Sequence, residues 1–276
     1  MSKLYLSELK RCSDSISCKM TFWILMAANM LSYVFCTQND FGKSYQFIRS
    51  ANENFVLQAT EAAYIPYILL IFFPITSTVI WSLSMRRETQ NKSALLIIQR
   101  VGIRKYIRSK ALAVFIITFC VSMIPLFVNL LFCHLTYPLN GFDSAWAEPD
   151  YLIGFFSYNE DAFLDMVRLQ HPTLYNMAYI FNYGLLGAGL ALLGMGIGFS
   201  AKMEHYYYVK IPVTMFLVYT VQNIIFAFLG FGRFTLQAYL SPGQTGSLSG
   251  YFVILFALYM ADFIVIQRGI RRFEML

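Results

Sequence analysis

The side chains that could do chemistry in this chain are few and widely spaced. Three histidines, His134, His171 and His205, stand far apart, and none has a second ligand three or four residues away, so no metal-binding helix face follows from them. Five cysteines, Cys12, Cys18, Cys36, Cys120 and Cys133, also lack metal spacing. Cys36 and Cys133 end two apolar runs on the same side, where a bridge or a pair of inert buried thiols would each satisfy the pattern. The sequence contains no Walker-type phosphate loop, no G-x-S-x-G and no H-E-x-x-H. It is therefore expected to have no catalytic residues, metal or cofactor of its own.

One acid is placed differently. Asp262, in "YMADFIVIQRGIRR", lies within an apolar run six residues before Arg268. Acids inside a membrane are the usual handle for a coupling proton or sodium ion, but a carboxylate near a helix end, paired with a neighbouring basic residue, is the plainer expectation.

The elements that carry these groups cannot form one soluble core. Of 276 residues, 58% are hydrophobic and only 13% charged, with 26 Phe and 19 Tyr, which is more apolar surface than a core of this size can bury. Six apolar runs are long enough to cross about 30 Å of hydrocarbon. They lie at Met20 to Cys36, Ala62 to Met85, a stretch starting at Ala111, Pro172 to Ala201, Ile211 to about Gly230, and roughly Leu248 to Ile266. Pro66, Pro74 and Pro125 fall inside them and predict kinks that neighbouring helices can satisfy. The first run reads as a retained anchor, since 19 residues precede it and no small-x-small site follows. The expectation is a single all-α transmembrane domain over residues 1–276.

Charge orients it. Seventeen of the 21 lysines and arginines fall in the N-terminal segment, Arg86 to Lys110, the turn with Lys202 and Lys210, and the C-terminus, whereas the alternate loops hold Lys43, Arg49, Arg168 and Arg233. The positive-inside bias places both termini in the cytoplasm of a cell-membrane protein. The net charge of +6 then reports topology and contact with anionic lipid, not nucleic acid. Residues 1–19, with Leu4, Leu6 and Leu9 among charges, read as an amphipathic helix on the inner face or as a frayed terminus.

The segment "RRETQNKSALLIIQRVGIRKYIRSK", Arg86 to Lys110, packs eight basic residues into 25 positions around "ALLII". Asn91 to Val101 predicts three helical turns, with Asn91 or Ser93 as cap and Gly102 as stop and hinge. Leu95, Ile98 and Gly102 share one face, with Ala94, Ile97 and Val101 beside it. A helix too short to span and too apolar for water needs either a groove in a soluble partner or the inner leaflet.

This arrangement resembles the membrane subunit of an ABC-2 type ABC transporter: an amphipathic N-terminal helix, six spans, and a basic cytoplasmic helix between the second and third. In that family an acid after the second span precedes a short helix, a Gly-x-x-Arg-like turn and a Lys entering the third span; here Glu88, Gly102, Arg104 and Lys110 fall in that order. The resemblance implies that Glu88, Ala94, Leu95, Ile97, Ile98, Val101, Gly102 and Arg104 couple to a cytoplasmic ABC ATPase subunit, which would hold ATP and Mg. It also implies a second permease subunit, identical or homologous, and a re-entrant outer segment near residues 231–248, where Arg233, Pro242 and Gly243 could gate a pathway. The long outer loop at 138–171 departs from the pattern, and reads as an acidic aromatic lid or a packed cap.

In the fourth run Gly187, Ala191, Gly194 and Gly198 form a small-residue face, suited to a helix of the same subunit or of a twin. The sequence therefore predicts export of an amphipathic cargo, such as a lantibiotic-like peptide, a lipid or a drug. A non-transporting scaffold or sensor, and an ion-coupled carrier, remain alternatives.

Overall fold

The computed structural model describes residues 2–44, 48–90, 93–139, 158–200 and 207–274. Among these the chain is helical apart from connecting segments, two short 3-10 turns and one isolated β-bridge. The helices are α1 (Ser2–Ser13), α2 (Ile16–Asp40), α3 (Tyr64–Gln90), α4 (Ser93–Val101), α5 (Ile103–Thr136), α6 (Asp165–Gln170), α7 (Pro172–Ser200), α8 (Tyr207–Phe228) and α9 (Leu248–Glu274). Six of them, α2, α3, α5, α7, α8 and α9, are long and apolar enough to cross a membrane. The protein is an all-α polytopic membrane protein.

Local chemistry sets several boundaries. Ser15 caps α2, its side chain accepting the Cys18 N–H at 3.2 Å. Pro172 opens α7 at a position where a missing N–H costs nothing. Pro74 and Pro125 lie within α3 and α5, yet each helix continues through them. The helices outrun the hydropathy boundaries. α5 starts at Ile103 rather than Ala111 and has 34 residues, about 51 Å of rise against the ~30 Å a bilayer core needs. α9 runs on past Arg268 and Arg271 to Glu274, which puts Asp262 within about one turn of the middle of the helix.

The bundle is built around α7, which packs on α3, α5, α6, α8 and α9. Its buried faces carry Tyr175, Tyr179, Tyr183, Leu186 and Ala191. Outward faces of the surrounding helices expose large apolar side chains, Trp23 and Ile24 on α2, Ile68 and Phe72 on α3, Phe256 and Phe263 on α9, as a hydrocarbon solvent permits. The small residues of α7 work within this chain. A Cβ on Gly187 would stand 3.1 Å from Ser122 Oγ and 3.2 Å from Ser77 Oγ, and one on Gly194 3.1 Å from Thr78 Cγ2. Ala191 is fully buried, and Gly198 lies on the buried side of the last turn. Close approach through small side chains gives the packing contact that lipid cannot drive.

α7 and α9 run parallel in a seven-residue register. Tyr251 donates its hydroxyl to Asn182 Oδ1, Leu258 lies against Gly189, and Val265 against Gly196.

Candidate functional site

Two ends of the bundle concentrate polar groups. The first gathers α1, the end of α3, α4 and the start of α5. α4 is a separate nine-residue helix, as its apolar spacing predicts. Gly102 then turns the chain: its N–H donates to Ile98 O at 2.8 Å, its carbonyl accepts the Tyr106 N–H at 3.1 Å, and its φ of 84° with ψ of 146° is open to glycine and strained for other residues.

The side chains of α4 divide the expected coupling face. Ile97, Ile98 and Val101 are half-buried, and both isoleucines pack on this chain's own core; Leu96 points outward and is 62% exposed, next to exposed Gln99 and Arg100. Arg104 stands exposed in the first turn of α5. Glu88 is on the last turn of α3 and Ala94 and Leu95 on α4, but their side chains lie outside the described residues, as does Asn91.

Residues 2–13 form a helix, and it is not laid loosely on a surface. Glu8, 2% exposed, pairs with Lys110 on α5 at 3.8 Å, and Lys110 Nζ donates to Tyr106 Oη at 3.2 Å. Ser17 Oγ donates to the Ile80 carbonyl of α3 at 3.0 Å. α1 is thereby tied to α5, and the start of α2 to α3, at the same end as α4.

The opposite end is closed by two non-helical segments. Residues 48–63 carry polar side chains yet sink into the bundle: Ser50, Ala51, Asn54, Phe55 and Val56 are buried. Asn129 of α5 holds the segment by accepting the Val56 N–H at 3.0 Å while its amide donates to Asn29 O of α2 at 2.8 Å. Asn176 of α7 donates to Asn52 O at 3.1 Å and accepts from Gln58 at 2.6 Å. Sequence reasoning missed this clamp; its signal was the pair Asn52 and Asn54 beside the apolar run Phe55–Leu57 between two spans.

The second segment, after α8, contains the 3-10 turns Gly232–Phe234 and Gln237–Tyr239. It joins the outer loop. Ala162 bridges Thr245, Phe163 N–H donates to Gln244 O at 3.2 Å, Gly246 N–H donates to Asp161 O at 2.9 Å, and Arg233 pairs with Asp161 on the surface. The buried Tyr239 hydroxyl donates to Arg233 O at 2.7 Å, and burial pushes its phenol above the ordinary tyrosine range, so it stays a neutral donor. Pro242 and Gly243 line a cavity of about 390 Å³ with Gln58, Asn159, Asp165 and Arg168. The sequence treated the loop at 138–171 and the segment at 231–248 separately, whereas one packed cap holds residues 158–171 of the loop against the second segment. Trp146, Tyr151, Phe155 and Phe156 of the loop lie outside the described residues.

Between α3 and α8 a lateral groove of about 320 Å³ opens toward the lipid-facing side. Leu70, Ile71 and Phe216 give it apolar walls; Tyr219, Asn223 and Gln237 line it with polar atoms, and among the described residues no charged side chain does.

The remaining candidates are accounted for as follows. All five cysteines are free, so Cys36 and Cys133 form no bridge, and Cys133 Sγ donates to Asn54 O at 3.4 Å in the clamp. His134 spans α5 to α7, its Nε2 3.3 Å from Thr173 Oγ1, and no metal-holding cluster occurs among the described residues. Asp262 departs from the expected pairing: it is 2% exposed with neither carboxyl oxygen hydrogen-bonded, while Arg268 is exposed on the same helix. No family model, curated protein or solved structure matches the chain.

Proposed function

We propose that this chain is the membrane-spanning subunit of an ATP-driven exporter resembling the ABC-2 type, with ATP hydrolysed by a separate subunit that docks on α4. The observation that carries the reading is α4 itself: a nine-residue helix between two spanning helices, set off by Gly102 and presenting Leu96 outward. Basic residues crowd this end, which by the positive-inside bias is cytoplasmic, where an ATPase works. The ties from Glu8 to Lys110 and from Ser17 to Ile80 fasten α1 to α5 and α2 to α3, so a push on α4 that moves α3 and α5 would carry the first two helices with it.

The groove between α3 and α8 suits the cargo class. Apolar walls with uncharged polar groups among them accept an amphipathic molecule such as a peptide or lipid better than a free ion. A second copy, or a homologous chain, would complete a pathway along that side.

Tagged chain, purified in mild detergent, is expected to bring down a Walker-motif ATPase in stoichiometric amount. Leu96→Asp should remove the ATPase while leaving the chain folded, because Leu96 is exposed and its change disturbs no packing of this protein. A chain that purifies alone, and whose membrane vesicles show no ATP-dependent transport, would identify a scaffold or sensor instead.

A further inference from the structure

Asp262 occupies a seam that the transport reading does not use. It lies between two tight contacts of α9 with α7, Leu258 on Gly189 and Val265 on Gly196, where a Cβ on either glycine would stand within 3.0 Å of its neighbour. Across the seam α7 presents "GLALLGMG", residues 189–196, without an ionisable group. α5 reaches α9 near Phe115, whose ring is 6.2 Å from that of Tyr259, and its residues 111–119, "ALAVFIITF", are likewise uncharged. The next cation along α5, Lys110, is held by Glu8 and Tyr106. On α9 itself Tyr259 stands one turn away with its hydroxyl donated to Leu185 O at 2.9 Å, and Arg268 is exposed six residues on.

An ionised carboxylate here would have neither a counter-charge nor a donor to its oxygens, and a buried charge in that position neutralises or draws in water. With Leu258 and Val265 resting on the glycines to either side, Asp262 is 2% exposed and bulk water does not reach it. We infer that Asp262 is a proton-binding site inside the bundle: it is a carboxylic acid while α9 is seated on α7, and it releases its proton when the two helices part and water enters. Proton occupancy and helix separation are thus two readings of one equilibrium.

The test needs only this chain, so its outcome is separate from that of the ATPase partnership. The full-length protein in bilayer nanodiscs is treated at neutral pH with dicyclohexylcarbodiimide, an apolar reagent. The acid proton moves to a carbodiimide nitrogen and the carboxyl oxygen bonds to the central carbon; rearrangement leaves a stable N-acylurea with no atom lost. Mass spectrometry is expected to find the adduct on the peptide holding Asp262, to lose it in Asp262→Asn, and to find none at the exposed Asp161. In a second measurement Leu258→Cys, in a chain whose five native cysteines are replaced, reports the seam through a water-soluble maleimide. Its labelling rate, relative to the exposed control Ser249→Cys, should rise several-fold from neutral to alkaline pH and stay flat when Asp262→Asn is added. Folded protein with no adduct at Asp262, coupled there instead by a water-soluble carbodiimide and an amine, would overturn the proton site. An adduct with a pH-independent seam would overturn the link to helix separation.

Discussion

Glu8 and Lys110 meet at 3.8 Å with side chains 2% and 5% exposed, joining the N-terminal helix to the first turns of α5. Glu8 also pairs with Arg11 at 3.4 Å, so Lys110→Met is expected to cost less than Glu8→Gln, which takes the carboxylate away from a 5% exposed ammonium; breaking a buried pair typically costs about 3–5 kcal/mol. The double variant should cost less than the two single changes together. Thermal unfolding in one detergent across the four proteins checks both, and a strictly additive cycle would dismiss the pair as a stabilising unit.

Asn129 and Asn176 clamp residues 48–63 from two different helices. Asn129→Ala leaves the Val56 N–H and the Asn29 carbonyl without their amide partner, a loss of about 1–3 kcal/mol per unsatisfied buried group. Limited proteolysis should cut within this segment faster in Asn129→Ala, and faster again when Asn176→Ala is added. Unchanged cutting in both variants would mean that the apolar burial of Phe55 and Val56 suffices.

Gly102 has open space around its Cβ position, so substitution there tests backbone strain alone. Gly102→Ala is expected to destabilise the junction of α4 and α5 by about 1–3 kcal/mol. Gly102→Asn should not rescue it, because ψ of 146° lies outside the left-handed helical region that Asn tolerates. Amide exchange over residues 98–106 reads the effect; protection in Gly102→Ala equal to that of the parent protein would show that the turn relaxes freely.

Gly189 and Gly196 make a paired comparison on the α7–α9 seam. The Cβ of Gly189→Ala meets the flexible end of Leu258 at 2.5 Å, whereas that of Gly196→Ala meets Val265 Cγ1 at 2.9 Å and the backbone N of Ile266 at 3.3 Å. Overpacking typically costs about 1–3 kcal/mol, with the larger share expected at Gly196 since a β-branched side chain and backbone cannot swing away. Adding Leu258→Ala should recover stability for Gly189→Ala, and thermal melts would show whether it does.

Much of this architecture could be read from residue order because hydrocarbon and periodicity leave strong marks. Six apolar runs announced six helices, and the spacing of Leu95, Ile98 and Gly102, with Ala94, Ile97 and Val101 beside them, announced α4. The helices run beyond the apolar stretches for a physical reason. Hydropathy registers where lipid stops, but hydrogen bonding carries α5 back to Ile103 and α9 on to Glu274 through charged residues. The clamp was hidden because its partners, Asn129 with Val56 and Asn176 with Asn52, are separated by 73 and 124 positions. Likewise, neither Ala162 nor Thr245 carries a local sign that the other will bridge it. The face of α4 was ambiguous for a different reason. Periodicity groups residues by angle without saying which angle the rest of the chain covers, and here the chain covers Ile97 and Ile98 and leaves Leu96 outside.

From Ile103 to Pro125, α5 is a stiff arm of about 33 Å, with its proline as the natural fulcrum. A tilt of about ten degrees there would carry the Gly102 end through roughly 6 Å, close to one helical pitch. Because Lys110 holds Glu8, the N-terminal helix would have to ride along, carrying the exposed Leu6 with it. Any stroke delivered at α4 would thus reappear at the chain's first helix, far from it in sequence order but riding on the same arm.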